Sequence, residues 1–244
     1  MAPFSESGHN KNAASFGGLV NIVSNLGAQY NPSFGEIQLS QLQKMDAQLD
    51  ALVAELNLVE RANKQAIANR KDAFAGMSKL TTKLINLLVA FGAADTTLKS
   101  ARSLVNLISG NTGKRKTKDA DESLQPLDAS VSKSRMSFDN RKDNFAKMVI
   151  LLKNEPNYNP NESAYKVSTL EDYLQKLDTC TDSVQQTETQ LRTKRDQRDA
   201  LLYTEGYSAY DLFTKTKAYL KAVFGQNSSV YKQVSGLSFV KAAR

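Results

Sequence analysis

From Leu42 to Phe91 the chain repeats every seven residues without losing register. Leu42, Leu49, Leu56, Asn63, Arg70, Met77, Leu84 and Phe91 form one series, and Met45, Leu52, Val59, Ala66, Ala73, Leu80 and Leu87 form a second, three residues on. Two apolar rows of this spacing make a seam of period 3.5 on one face of an α-helix, the pattern that packs long helices along one another. At roughly 1.5 Å per residue such a helix is about 75 Å long. Gly76 is the residue expected to break or kink it, since glycine costs about 1 kcal/mol in a helix interior.

The seam occurs again as Leu170, Leu177, Val184, Leu191 and Arg198 with Tyr173, Cys180, Thr187, Lys194 and Leu201. The text around it repeats as well. At an offset of 128, seven of the 21 positions of 30–50 are identical in 158–178: Tyr30/Tyr158, Asn31/Asn159, Pro32/Pro160, Ser40/Ser168, Leu42/Leu170, Leu49/Leu177 and Asp50/Asp178. Upstream, "SFGGLV" meets "NFAKMV" once one residue is skipped; downstream the offset becomes 133 and Phe91-Gly92 faces Phe224-Gly225. Matched leucines arise by chance between amphipathic helices, whereas matched YNP and FG punctuation does not. The pattern predicts an all-α, elongated bundle built by internal tandem duplication with pseudo-twofold symmetry. Its segments are a flexible tail 1–14, a first repeat 15–109, a polar linker 110–137 and a second repeat 138–244, the two repeats forming one bundle.

Local signals place the ends of the elements. Proline fixes φ and turns its predecessor away from helix, so each YNP closes one element. "SQLQ" from Ser40 and "STLE" from Ser168 fit the capping box at the start of each long helix. The second long helix is expected to stop at "YTEGYS", Tyr203 to Ser208. Gly92 and Gly225 suit helix C-termini, with Asp95 and Ser228 as the next N-caps. Shorter helices are expected at 16–27, 93–109, 138–154, 207–224 and 228–240.

Little in the sequence favours catalysis. The one histidine, His9, falls in the expected tail, so a histidine relay is not expected and no catalytic residue is assigned. Cys180, the sole cysteine, lies on the seam and reads as a core thiol. No Cys/His cluster suggests a metal, and "GNTGKRKT" lacks phosphate-loop spacing, so no cofactor is expected. The opening "MAPFSESGHNKN" lacks the charge and apolar order of a signal peptide, and "LINLLVAFGAA" is too short to cross a bilayer, so a cytoplasmic place is the default reading.

Two groups of charged residues stand out. Arg70 and Arg198 fall at the same place in each seam, where an arginine either reaches a partner or forms a polar layer that fixes register. A net charge of +7 allows an acidic partner. Lys114, Arg115, Lys116 and Lys118 form one basic run, followed at once by Asp119, Asp121 and Glu122; Lys215, Lys217 and Lys221 gather on a later helix. Both groups read first as solvated surface and second as nucleic-acid contacts.

With YNPNE at 158–162 and FGQNSSVYKQVSGLSF at 224–239, the chain resembles a group of uncharacterised bacterial all-α proteins that share a YxPNE turn and an FGxxSxxYKQV ending. The resemblance covers most of the chain from about residue 16 and transfers no catalytic residue. The first copy departs from it, with Ser33-Phe34 where the second has Asn161-Glu162. The expectation is a structural or scaffolding protein, a rod-like subunit that self-associates or binds a protein partner. A nucleic-acid binder and a helical pore-former are the alternatives.

Overall fold

A computed structural model describes residues 6–110 and 136–241. All regular structure among them is helical: α1 (Glu6–Asn25), α2 (Leu39–Ala75), α3 (Met77–Ala90), α4 (Asp95–Ser109), α5 (Phe138–Lys153), α6 (Val167–Tyr203), α7 (Ala209–Phe224) and α8 (Ser229–Ser235). Short 3-10 turns at Gly35–Ile37 and Ser163–Tyr165 lead into α2 and α6. The all-α class read from the seams is the class the chain adopts. Most of the segment expected as a linker, 110–137, lies outside the described residues.

The chain divides into two compact units, Met1–Asn63 with Thr187–Arg244, and Lys64–Gln186. Each unit takes residues from both 15–109 and 138–244. The first core joins Phe16, Leu19, Val23, Leu42 and Leu49 to Leu202, Leu212 and Leu220. The second joins Phe74, Met77, Leu84 and Leu88 to Phe145, Met148, Leu152, Leu170 and Leu177. Leu84 and Leu88 of "LINLLVAFGAA" are thus core residues, shielded by other helices.

Side chains from the seams cross between helices inside each unit. In the first, Thr187 Oγ1 donates to Asn63 Oδ1 at 3.0 Å, Arg195 meets Glu60 at 3.3 Å and Lys194 meets Glu55 at 2.5 Å. Rising numbers on α6 meet falling numbers on α2, so the two run antiparallel there. In the second, Tyr173 donates its hydroxyl to the Ala73 carbonyl at 2.6 Å. Arg141 of α5 donates to the Ile108 and Phe74 carbonyls, each at 3.2 Å, satisfying groups near the ends of α4 and α2.

Several boundaries differ from expectation for physical reasons. The expected tail 1–14 is helical from Glu6 on, because α1 buries His9, Asn12, Ala13, Phe16 and Leu19 at helical spacing. The polar members of that face bury by finding partners. Ser40 and Ser168 are not caps: α2 and α6 begin at Leu39 and Val167, and the extended residues before them are Gln38 and Lys166, each closing a 3-10 turn. Asp95 is the first residue of α4, after the extended Ala94, whereas Ser228 does cap α8, its hydroxyl accepting from the Tyr231 N–H. At the two FG corners, Gly92 and Gly225 take φ of 70° and 84°, conformations that a side chain resists.

Gly76 separates α2 from α3, yet its φ of −84° and ψ of −10° are right-handed, and an added Cβ meets nothing within 4 Å. Gly76→Ala therefore brings no clash and removes backbone freedom from the unfolded chain. The expected result is a gain of about 0.5–1 kcal/mol in stability, read from urea midpoints at constant m; a loss of stability there would mean the break itself is required.

Candidate functional site

The loop after α1 is tied from within. Tyr30 donates its hydroxyl to the Ile37 carbonyl at 2.5 Å, and its ring meets the Tyr219 ring edge-on, centroids 5.4 Å apart. Burial pushes the Tyr30 phenol up to about 12, with the Thr216 hydroxyl opposing and Tyr219 adding to the shift. Closing the loop this way fixes residues 31–36 against α7 and turns Phe34 outward, where it is 71% exposed. Beside Phe34 lies a groove of about 750 Å³ whose walls are Ile37 on the loop and Ala218, Tyr219 and Ala222 on α7. At its rim the Lys215 ammonium and the Glu36 carboxylate meet at 2.5 Å.

The other half of the chain closes its loop in the same manner. Tyr158 donates to the Tyr165 carbonyl at 2.7 Å and packs edge-on against Phe91 at 5.8 Å. Burial, then Tyr165, pushes its phenol up to about 12. The surface side chains differ. At the offsets read from the sequence, Glu162 stands for Phe34, and Ile85 and Val89 stand for Ala218 and Ala222. Small residues leave room beside Phe34; larger ones occupy the corresponding positions.

A polar cluster gathers around His9. Its Nδ1 lies 2.9 Å from the Tyr203 hydroxyl and 3.6 Å from an Asp199 oxygen. Asn12 donates to the same hydroxyl at 2.9 Å. Burial raises the Tyr203 phenol, Asn12 opposing it. A space of about 340 Å³ opens between His9, Asp196, Asp199, Glu205 and Lys241. The contacts named here join α1 to α6.

The residues singled out by sequence are dispersed. Arg70 and Arg198 lie in different units. The Arg70 guanidinium sits 4.5 Å above the Phe138 ring. Arg198, 3% exposed, meets Asp199 of its own helix at 2.8 Å. Lys215 is paired with Glu36. Lys217 donates to the Leu237 carbonyl at 3.0 Å over the Phe213 ring, and burial lowers its ammonium pKa. Lys221 lies 5.8 Å from the Tyr231 ring. All three lysines are thus engaged within the chain. Lys114, Arg115, Lys116 and Lys118 fall outside the described residues. Cys180 is half-buried.

Sequence reasoning passed over Phe34 except as a departure from the YNPNE pattern. The available signal was an aromatic at a turn tip, flanked by Ser33 and Gly35 with no apolar period to bury it. Among the described residues no three His, Cys, Asp or Glu side chains are placed to hold a metal ion. No helix there is long and apolar enough to cross a membrane. The chain matches no family model, no curated protein and no solved structure.

Proposed function

We propose that the protein is a helical scaffold that associates with a second copy of itself through the Phe34 groove, and that it performs no reaction of its own. One observation carries this reading: a protruding aromatic and an apolar hollow share a single patch of surface. A twofold interface needs a patch complementary to itself, and Phe34 of each copy entering the other's groove meets that requirement. The paired Lys215 and Glu36 at the rim leave the patch without net charge to repel its twin.

The duplication belongs to the same reading. Two 37-residue helices, each preceded by a 3-10 turn and a tyrosine bonded seven residues on, support descent from one copied unit. At the matched positions one loop carries Glu162 and the other Phe34. The likeness to bacterial all-α proteins with the YxPNE turn is consistent with that origin.

Burying one phenylalanine contributes about 2 kcal/mol, and symmetry counts it twice. Phe34→Ala should therefore weaken self-association about a thousandfold while leaving helicity unchanged. Light scattering across a dilution series measures it. Wild-type protein that stays monomeric at every concentration sinks the proposal.

A further inference from the structure

After α8 the chain leaves helix and runs as an irregular segment, 237–241, across the first unit. Inward and outward positions alternate along it: Leu237 and Phe239 are half-buried, Ser238 and Val240 exposed. The way it is held differs from the rest of the fold. Asn12, 3% exposed, uses both ends of its amide on one residue: Oδ1 accepts the Val240 N–H at 3.1 Å and Nδ2 donates to the Val240 carbonyl at 2.8 Å. Lys217 donates to the Leu237 carbonyl at 3.0 Å. The Phe239 ring enters a cage of Tyr203, Tyr210 and Phe213, centroids 5.3–6.3 Å away. Leu237 lies over Gly18, where even a Cβ would come within 3.4 Å of it.

Backbone groups read by side chains, with one aromatic anchor, is how a cleft recognises an extended peptide. The Leu237 N–H donates to the Val234 carbonyl at 3.1 Å, closing α8, and beyond it both backbone groups of Val240 are taken by the Asn12 side chain. Two side chains, Leu237 and Phe239, pack against the first core, while Val240 stays 54% exposed. The segment is therefore held by two apolar anchors and by side-chain bonds to its backbone, contacts that the same residues of another chain would reproduce.

We propose that the cleft formed by α1, α6 and α7 is a peptide-binding site, filled within one chain by 237–241 and open to the same segment of a second copy. This surface is separate from the Phe34 groove and does not depend on it. Exchange of the segment links copies with no new contact, since each cleft meets the residues it already holds.

The test uses a labelled, end-capped peptide of residues 235–241 and the full chain, followed by fluorescence anisotropy. In wild type the resident segment competes, so apparent affinity is low. Phe239→Ala removes the aromatic anchor, weakens the resident segment's hold, and should raise the affinity about tenfold, by the fraction of open clefts gained. Adding Asn12→Ala to that variant should abolish binding, and a scrambled peptide should not bind. A Phe239→Ala chain that prefers the peptide no more than its scrambled form overturns the proposal. Should that variant fail to fold, hydrogen exchange on wild type decides: excess peptide must speed exchange at the Val240 amide, and unchanged exchange overturns the proposal equally. Finally, Phe239→Ala and Asn12→Ala chains, both carrying Phe34→Ala, should form mixed dimers in native mass spectrometry, because one supplies the intact cleft and the other the intact segment. Statistical or absent mixing argues against exchange between copies, whatever the Phe34 groove does.

Discussion

Phe145→Ala is expected to destabilise the second unit by about 3–5 kcal/mol. Phe145 has no exposed surface, and it belongs to one core cluster with Phe74, Met77, Leu84, Met148 and Leu177. Truncation removes the ring and leaves a hollow that long helices, tied at both ends, close poorly. It also ends the edge-on contact with Tyr173, centroids 5.3 Å apart, while the Tyr173 hydroxyl stays bonded to the Ala73 carbonyl and resists repacking. Ile150, on the same helix and 58% exposed, is the control: Ile150→Ala should change stability by less than about 0.5 kcal/mol. Urea unfolding followed by circular dichroism measures both. Phe16 occupies the corresponding place in the first unit and is as fully buried, so Phe16→Ala should cost a similar amount. A Phe145→Ala chain within about 1 kcal/mol of wild type would mean that the unit is not built around this ring.

What the sequence made legible, and what it hid, divides along the range of the forces involved. The long helices, the break at Gly76 and the two FG corners are written in local chemistry: apolar period, glycine, proline. Those signals act within a few residues, so a single sequence suffices to read them. The beginning of α1 was missed because His9 and Asn12 occupy inward positions, and a count of apolar residues cannot see a polar residue whose partner, Tyr203, lies more than 190 residues away. The lysines of α7 looked like a surface patch for the same reason. Lys215 and Lys217 are engaged by Glu36 and by the Leu237 carbonyl, which no spacing rule brings together. Arg198 shows a middle case: its carboxylate, Asp199, is the next residue, yet on a seam position the side chain's direction was needed to know it. Of the candidate sites, the departure at Phe34 was visible as a letter, but its exposure depends on how Tyr30 folds the loop.

That loop closure sets up an alkaline transition. The Tyr30 and Tyr158 phenols are each pushed up to about 12 by burial, against about 10 for an unfolded chain. A tyrosine is neutral when protonated, so below pH 10 both states hold the proton and the stability is fully present. Between about pH 10 and 12 the unfolded chain releases its protons first, and stability falls as pH rises. After allowance for solvent screening, each phenol accounts for about 1–2 kcal/mol of that loss. Ionisation also removes the donor to the Ile37 and Tyr165 carbonyls, so both loops loosen together. Tyr30→Phe/Tyr158→Phe gives up these two hydrogen bonds, about 1 kcal/mol each, and should be less stable than wild type at pH 8. Because it has no buried phenol at these positions to titrate, its stability should decline less steeply above pH 10, and the gap between the two proteins should narrow toward pH 12. Urea midpoints at stepped pH, with tyrosinate absorbance in parallel, give both curves. If they run parallel, the buried phenols are not what alkali attacks. If they converge, light scattering over the same range tests the proposed Phe34 interface as well: loosening of the loop that the Tyr30–Ile37 bond closes should weaken the proposed association as Tyr30 ionises.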